Sequence, residues 1–310
     1  VATSGSTNFS LTRNTLITHV LELMGRLQGG ATADSNDVTF LSNALNLMVK
    51  AWEAQGIHLW TRQTATVYLT NATSKYALNS STGAHGSNTV AETTLSAAEA
   101  SGQTVLSVTS STGMTAADRV LIQLDDNTLH STTIVSVDSA TQITITSSLA
   151  SAAASGNQVY TYTTRLGRPL SILGARLKNS SNIERPLNKL SHQEYFDITN
   201  KTTASEPTGF YYDPHITSGQ LYLWPTPDDV SDRLHITYLR QIEDFDASGD
   251  DPDFPQEWLE CMAYSLAARV GITFGLPSDI RQEFILIASS MLENISSWDN
   301  EPGSSYFIPA

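Results

Sequence analysis

AWEAQGIHLW, residues 51–60, decides how the chain is divided. A helical run meets Gly56 and gives way at once to Ile57, Leu59 and Trp60, with a tryptophan on either side of the break. Upstream, Val38, Leu41, Leu45, Met48 and Trp52 step by three and four. That spacing is one apolar stripe on a helix opening near Asp34 or Ser35. Glycine suits the left-handed residue that ends a helix. Trp52 is then the last knob of the stripe, and Ile57, Leu59 and Trp60 fold back onto the same core. An earlier helix carries Leu16, Val20, Leu23 and Leu27, from an N-cap at Ser10 to the stop at Gly29-Gly30.

The far end has the same texture. Trp258, Met262, Leu266 and Val270 recur every four residues after Pro255, and Ile280, Phe284, Ile287, Met291, Ile295 and Trp298 share a stripe that ends at Pro302-Gly303. Stripes this wide need partners. The expectation is an α+β fold with a mainly helical core: a four-helix bundle from both chain ends, antiparallel β elements between, and an inserted small all-β module. Trp52, Trp60, Trp258 and Trp298 are its expected core anchors.

Between the helices, residues 64–78 alternate as a strand pair, and FYYD, LYLWP and HITYLR read as three antiparallel strands. Ser191 with Glu194 predicts a capped short helix. Residues 90–163 are short Thr/Val/Ile runs broken by turn signals, which suggests about five strands. The expected organisation is a flexible arm at 1–10, a core from 11–89 and 164–298, a β-rich insert at 90–163 and a tail at 299–310.

Composition excludes several classes. No apolar run approaches the ~20 residues of a membrane span, so no membrane partner is expected. No secretory leader pattern opens the chain. Cys261 is the single cysteine, which rules out an internal disulfide and a cysteine-based metal site. Net charge is −14, against the basic surface that a dedicated nucleic-acid binder needs. Nine acids crowd residues 228–253, while Arg165, Arg168, Arg176, Lys178, Arg185 and Lys189 face only Glu184 within 165–189. These are two solvated loops, or complementary faces meeting a neighbouring copy or a partner.

Chemistry is sparse. There is no HExxH, GxSxG, Walker or Rossmann motif, the seven histidines lack ligand spacing, and DASGDDPD lacks EF-hand spacing. No catalytic residue, cofactor or metal ligand is assigned. The order AWEAQGIHLW, RPLSIL, EYFDITNK, FYYD, LYLWPTP, TYLRQIEDFDASGDDPDFPQEW and AYSLAARVGITFGL resembles the head-to-tail adaptor family of short-tailed bacteriophages (podoviruses), also called tail accessory or connector proteins. The resemblance covers residues 11–80 and 165–298.

The resemblance implies a non-enzymatic structural virion protein, assembled in the host cytoplasm and located at the portal vertex. It implies a homo-oligomeric ring, a dodecamer, that docks under the portal protein and carries tail nozzle or fibre proteins. Double-stranded DNA would pass through the lumen without specific binding, during DNA ejection, along an acidic wall. The apolar tail residues Tyr306, Phe307 and Ile308 are the expected portal contact. The six basic residues are expected to meet acid on a neighbouring subunit or the portal. The alternative is a tail-associated glycan hydrolase, or a glycan-binding module using Tyr160 and Tyr162.

Overall fold

A computed structural model describes residues 4–56, 59–81 and 83–298. It divides into two compact units. One combines the described residues up to Thr61 with those from Gln241 onward; the other is Arg62–Arg240.

The first unit is helical. It contains α1 (Arg13–Leu23), α2 (Ser35–Ala54), α4 (Leu259–Val270) and α5 (Ser278–Trp298), while α3 (His192–Phe196) belongs to the other unit. Thr12, not Ser10, caps α1, and Asp34 caps α2. Gly56 takes φ +81°, so the helix ends where its lack of a Cβ permits a left-handed turn. Leu16, Leu41, Leu45, Met48, Trp52, Trp258, Met262, Leu266 and Val270 are buried in one core. Trp60 is half-buried against it, and Cys261 is buried within it. Trp52, Trp60, Phe254 and Trp258 form a ring cluster, with centroids 5.7 Å apart for Trp52–Trp258 and 5.1 Å for Trp60–Trp258. The Trp60 indole donates to the Asp253 carbonyl at 3.0 Å. The side chain of Trp298 lies outside the described residues.

The acidic segment after residue 241 is pinned to this unit rather than solvated along its length. Asn46, Lys50 and Glu53 stand on one face of α2. The Asn46 side chain accepts from Phe245 N, the Lys50 ammonium donates to the Ile242 carbonyl and pairs with Asp244, and Glu53 accepts from Ile242 N. Asp250 Oδ2 accepts from the amides of Asp246 and Ala247, closing the loop on itself.

The second unit corrects the expectation of a mainly helical core. The chain is about 25% helix and 28% strand, with three sheets that are antiparallel at all but one pairing. The four helices make one unit only, and the larger unit is built from strands. Helical stripes were the stronger sequence signal because their period is local, whereas short strands carry little pattern each.

Sheet one has the order β11 (Glu184–Pro186), β10 (Ser171–Lys178), β15 (Arg233–Leu239), β1 (Arg62–Tyr68) and β3 (Gly86–Ser87). Sheet two runs β12 (Asn188–Lys189), β13 (Gly209–Asp213), β14 (Gly219–Trp224) and β2 (Lys75–Leu78). Their inner faces share one core of Val67, Leu69, Leu78, Ile172, Phe210, Leu221, Leu223, Leu234 and Ile236. Two pairings differ from the sequence expectation. β1 and β2 do not pair with each other but lie in opposite sheets, and β15 leaves β13 and β14 to join β1 and β10. Strands adjacent in sequence can bury more apolar surface by facing each other across a core than by pairing.

Residues 91–162 form the third sheet, six strands in the order β4 (Ala91–Thr94), β9 (Gln158–Tyr162), β6 (Arg119–Gln123), β7 (Leu129–Ser139), β8 (Gln142–Ile145) and β5 (Val105–Ser107). Val120, Ile122 and Val159 face its own core. Leu121, Tyr160 and Tyr162 point the other way and bury Tyr68 on the outer face of β1. Tyr68 and Tyr160 stack at 4.5 Å. The guanidinium of Arg233, opposite Tyr68 in the β1–β15 ladder, lies over the Tyr160 ring and pairs with Glu92 of β4 at 2.5 Å. Tyr160 and Tyr162 are 0% and 2% exposed, so neither ring is open to a sugar.

Two outcomes test this packing. Trp258→Ala should destabilise the protein by ~3–5 kcal/mol in chemical denaturation, because the cavity opens inside a four-ring cluster. Glu92→Ala should cost ~1–3 kcal/mol, since it leaves a guanidinium that is 3% exposed without its carboxylate. The double variant Glu92→Ala with Arg233→Met should recover part of that loss; an additive double-mutant cycle would refute the coupling.

Candidate functional site

The six basic residues do not gather into one bare patch. Arg185 makes a two-pronged contact with Glu206, both distances 2.9 Å, and Arg176 lies 3.7 Å from Glu184. Arg165 donates to the Gly83 carbonyl and Lys189 to the Ile172 carbonyl. Arg168 and Lys178 form no ion pair among the described residues. Adjacent strands and turns of this unit therefore supply partners for most of a charge run that reads, in sequence, as unbalanced. Tyr306, Phe307 and Ile308 fall outside the described residues.

The polar feature that sequence reading missed lies where three turns of the second unit meet. The β6–β7 hairpin tip brings Asn127, the β10–β11 turn brings Asn179 and Ser180, and the segment before β15 brings Asp228, Asp229 and Asp232, with Glu206 alongside. Together they line an open pocket of about 600 Å³. Asn127 adopts φ +59°, a conformation asparagine tolerates at a hairpin tip. Its side chain donates to the Asp228 carbonyl at 2.7 Å and accepts from Val230 N at 3.1 Å, joining the inserted sheet to this wall. Asp229 accepts from Ser231 N.

Asp232 is only 8% exposed. Burial, and then the carboxylates of Asp229, Glu206 and Asp228, push its carboxyl up to about 6 against the pull of Arg233. The run DDVSD shows the acids in sequence, but the burial of Asp232 comes from turns that are remote in the chain. Elsewhere, His85 shares a 2.6 Å hydrogen bond with the Tyr162 hydroxyl, and burial holds the imidazole down to about 4. No cluster of three or more His, Cys, Asp or Glu side chains among the described residues could hold a metal ion. None of the described helices is long and apolar enough to cross a membrane.

The raised carboxyl sets a pH dependence. Its ordinary value is 3.8 and its folded value about 6, so the folded state prefers the protonated form. The resulting penalty is absent below about pH 4, grows as pH rises to about 6, and is complete above it. Asp232→Asn should therefore stabilise the protein at pH 8 by on the order of 1–2 kcal/mol, the shift being discounted for solvent at the open pocket. At pH 4 the variant and the parent should melt together; a pH-independent difference would contradict the assignment.

No curated protein matches the sequence. The family model described as SU10 adaptor protein matches residues 116–279, which runs from the inserted sheet through β10, β13, β14, β15 and α4 into the start of α5. The matched segment is more than half of the 310 residues. On that match the chain belongs to the SU10 adaptor protein family, a phage adaptor family, and its role is that of a structural virion component.

Proposed function

We propose that the protein is a ring-forming head-to-tail adaptor, with α5 of one copy packing on α2 of the next. The observation that carries this reading is the incomplete burial of α5. Ala288 is its one buried residue among those described, and α5 rests chiefly on α4. Ile285 and Leu286 are 47% and 65% exposed. Charges on the helix are limited to Asp279, Arg281, Glu283 and Glu293. A second apolar stripe, Phe40 and Leu47 with Ala51, faces outward on α2. Faces that are apolar and poor in charge are those that proteins cover. Two different faces on one unit suit a head-to-tail contact between copies, which closes into a ring when the rotation allows.

In this reading the ring, a dodecamer by its resemblance to podovirus adaptors, docks beneath the portal. Tyr306, Phe307 and Ile308 anchor it there, and the ring bears nozzle or fibre proteins below. Arg168 and Lys178 are the cations left to meet acid on a neighbour, and the net charge of −14 favours a lumen through which DNA slides without adhering.

Leu286→Glu and Leu47→Glu, made separately, should each prevent ring formation in native mass spectrometry of the protein with its portal. Monomer stability should change by no more than about 0.5 kcal/mol, as expected of exposed positions. Rings of normal mass from both variants would exclude the α2–α5 contact.

A further inference from the structure

We infer that the acidic pocket around Asp232 receives an arginine side chain presented by another polypeptide. Asp232 lines this pocket and is 8% exposed overall; its carboxylate makes no hydrogen bond or ion pair among the described residues, and its oxygens are open to the pocket's solvent. A carboxylate largely removed from water without a partner is unfavourable unless it takes up a proton or a cation comes to it. Two guanidinium groups of the chain already have carboxylate partners: Arg233 pairs with Glu92, and Arg185 pairs with Glu206 of the pocket lining. Asp228 and Asp229, on the same wall, form no ion pair among the described residues either. The wall itself is built, since Asn127 uses both ends of its amide to hold the Asp228–Val230 backbone in place.

The shape of the site favours guanidinium over a metal ion. Among the described residues no three carboxylates converge closely enough to ligate one ion. A guanidinium spreads five donors over a flat fork and can reach carboxylates several ångströms apart, whereas lysine offers a point charge. The pocket, about 600 Å³ and open to solvent, admits a side chain from outside. Asp228 and Asp229 at its exposed rim would draw the cation in, and Asp232 would meet it at the buried end.

The test uses the full chain at low salt and the peptide acetyl-Gly-Gly-Arg-Gly-Gly-amide, with glutamine and lysine counterparts. Binding is followed by amide chemical shifts. The arginine peptide should move the resonances of Asn127 and of residues 228–232, and the glutamine peptide should not. Asp232→Asn should weaken arginine binding at least tenfold, and acidification from pH 8 to pH 5 should weaken it by up to about tenfold. Glu283→Gln, on exposed α5, should leave binding unchanged. Superposable spectra of the free variants will show that each is folded. The inference fails if Asp232→Asn binds as the parent does, if the lysine peptide binds as tightly as the arginine one, or if no arginine binding occurs. Displacement of the arginine peptide by calcium chloride would make this a metal site and would equally overturn it.

Discussion

The seven-residue antiparallel pairing of β1 with β15 is the constraint on which the rest of the molecule depends. Arg62 lies opposite Leu239 and Tyr68 opposite Arg233, so the strand that enters the β-rich unit and the one that leaves it run side by side. Residues 61 and 241 are thereby brought close, although some 180 residues separate them. Only then can the helices before and after meet in one core. The price is loop-closure entropy, which grows only slowly with loop length and is offset here by a ladder buried on its inner face. Within the helical unit, α2 answers with a row of side chains that grips the segment leaving β15.

The outer face of the same ladder explains how the third sheet is held. Tyr68 and Arg233 point away from the sandwich core, where an ordinary sheet would meet water. Instead the tyrosines of β9 and the carboxylate of Glu92 cover them. The strands β6 and β9 are consequently buried on both faces, apolar toward their own core and aromatic toward β1. A guanidinium this deeply buried is costly without its partner, so the contact fixes where the inserted sheet sits more than it adds net stability. Two further hydrogen bonds at Asn127 repeat the linkage at the hairpin tip.

Charge is distributed to match a structural role. The acids after residue 241 close a loop and cap backbone groups, and most cations of 165–189 are met by carboxylates or carbonyls of their own unit. The strong asymmetry visible along the chain is thus largely absorbed within it. Among the features left outward on the described residues are two helical stripes poor in charge and one acidic pocket, features suited to contacts with other chains.

The helices, their glycine stop at Gly56 and the capping box at Ser191–Glu194 were legible from sequence because each follows from neighbours within a turn or two; the contact of Trp52 with Trp258 joins residues far apart in the chain. The balance between helix and sheet was not legible, and the strength of four periodic stripes made the helical part look like the whole. Strand partners also escaped, since β1 and β2 are separated by a few residues yet belong to opposite sheets, and that choice is made by the core they enclose. The pocket was hidden for the same reason. Asp228, Asp229 and Asp232 stand together in the chain, but what makes Asp232 unusual is burial against residues contributed by turns remote in sequence. Sequence alone determined the local conformations, the apolar faces and the sign of the charges; tertiary structure decided which faces met and which charges were left without a partner, because burial is set by distant contacts and not by neighbours along the chain.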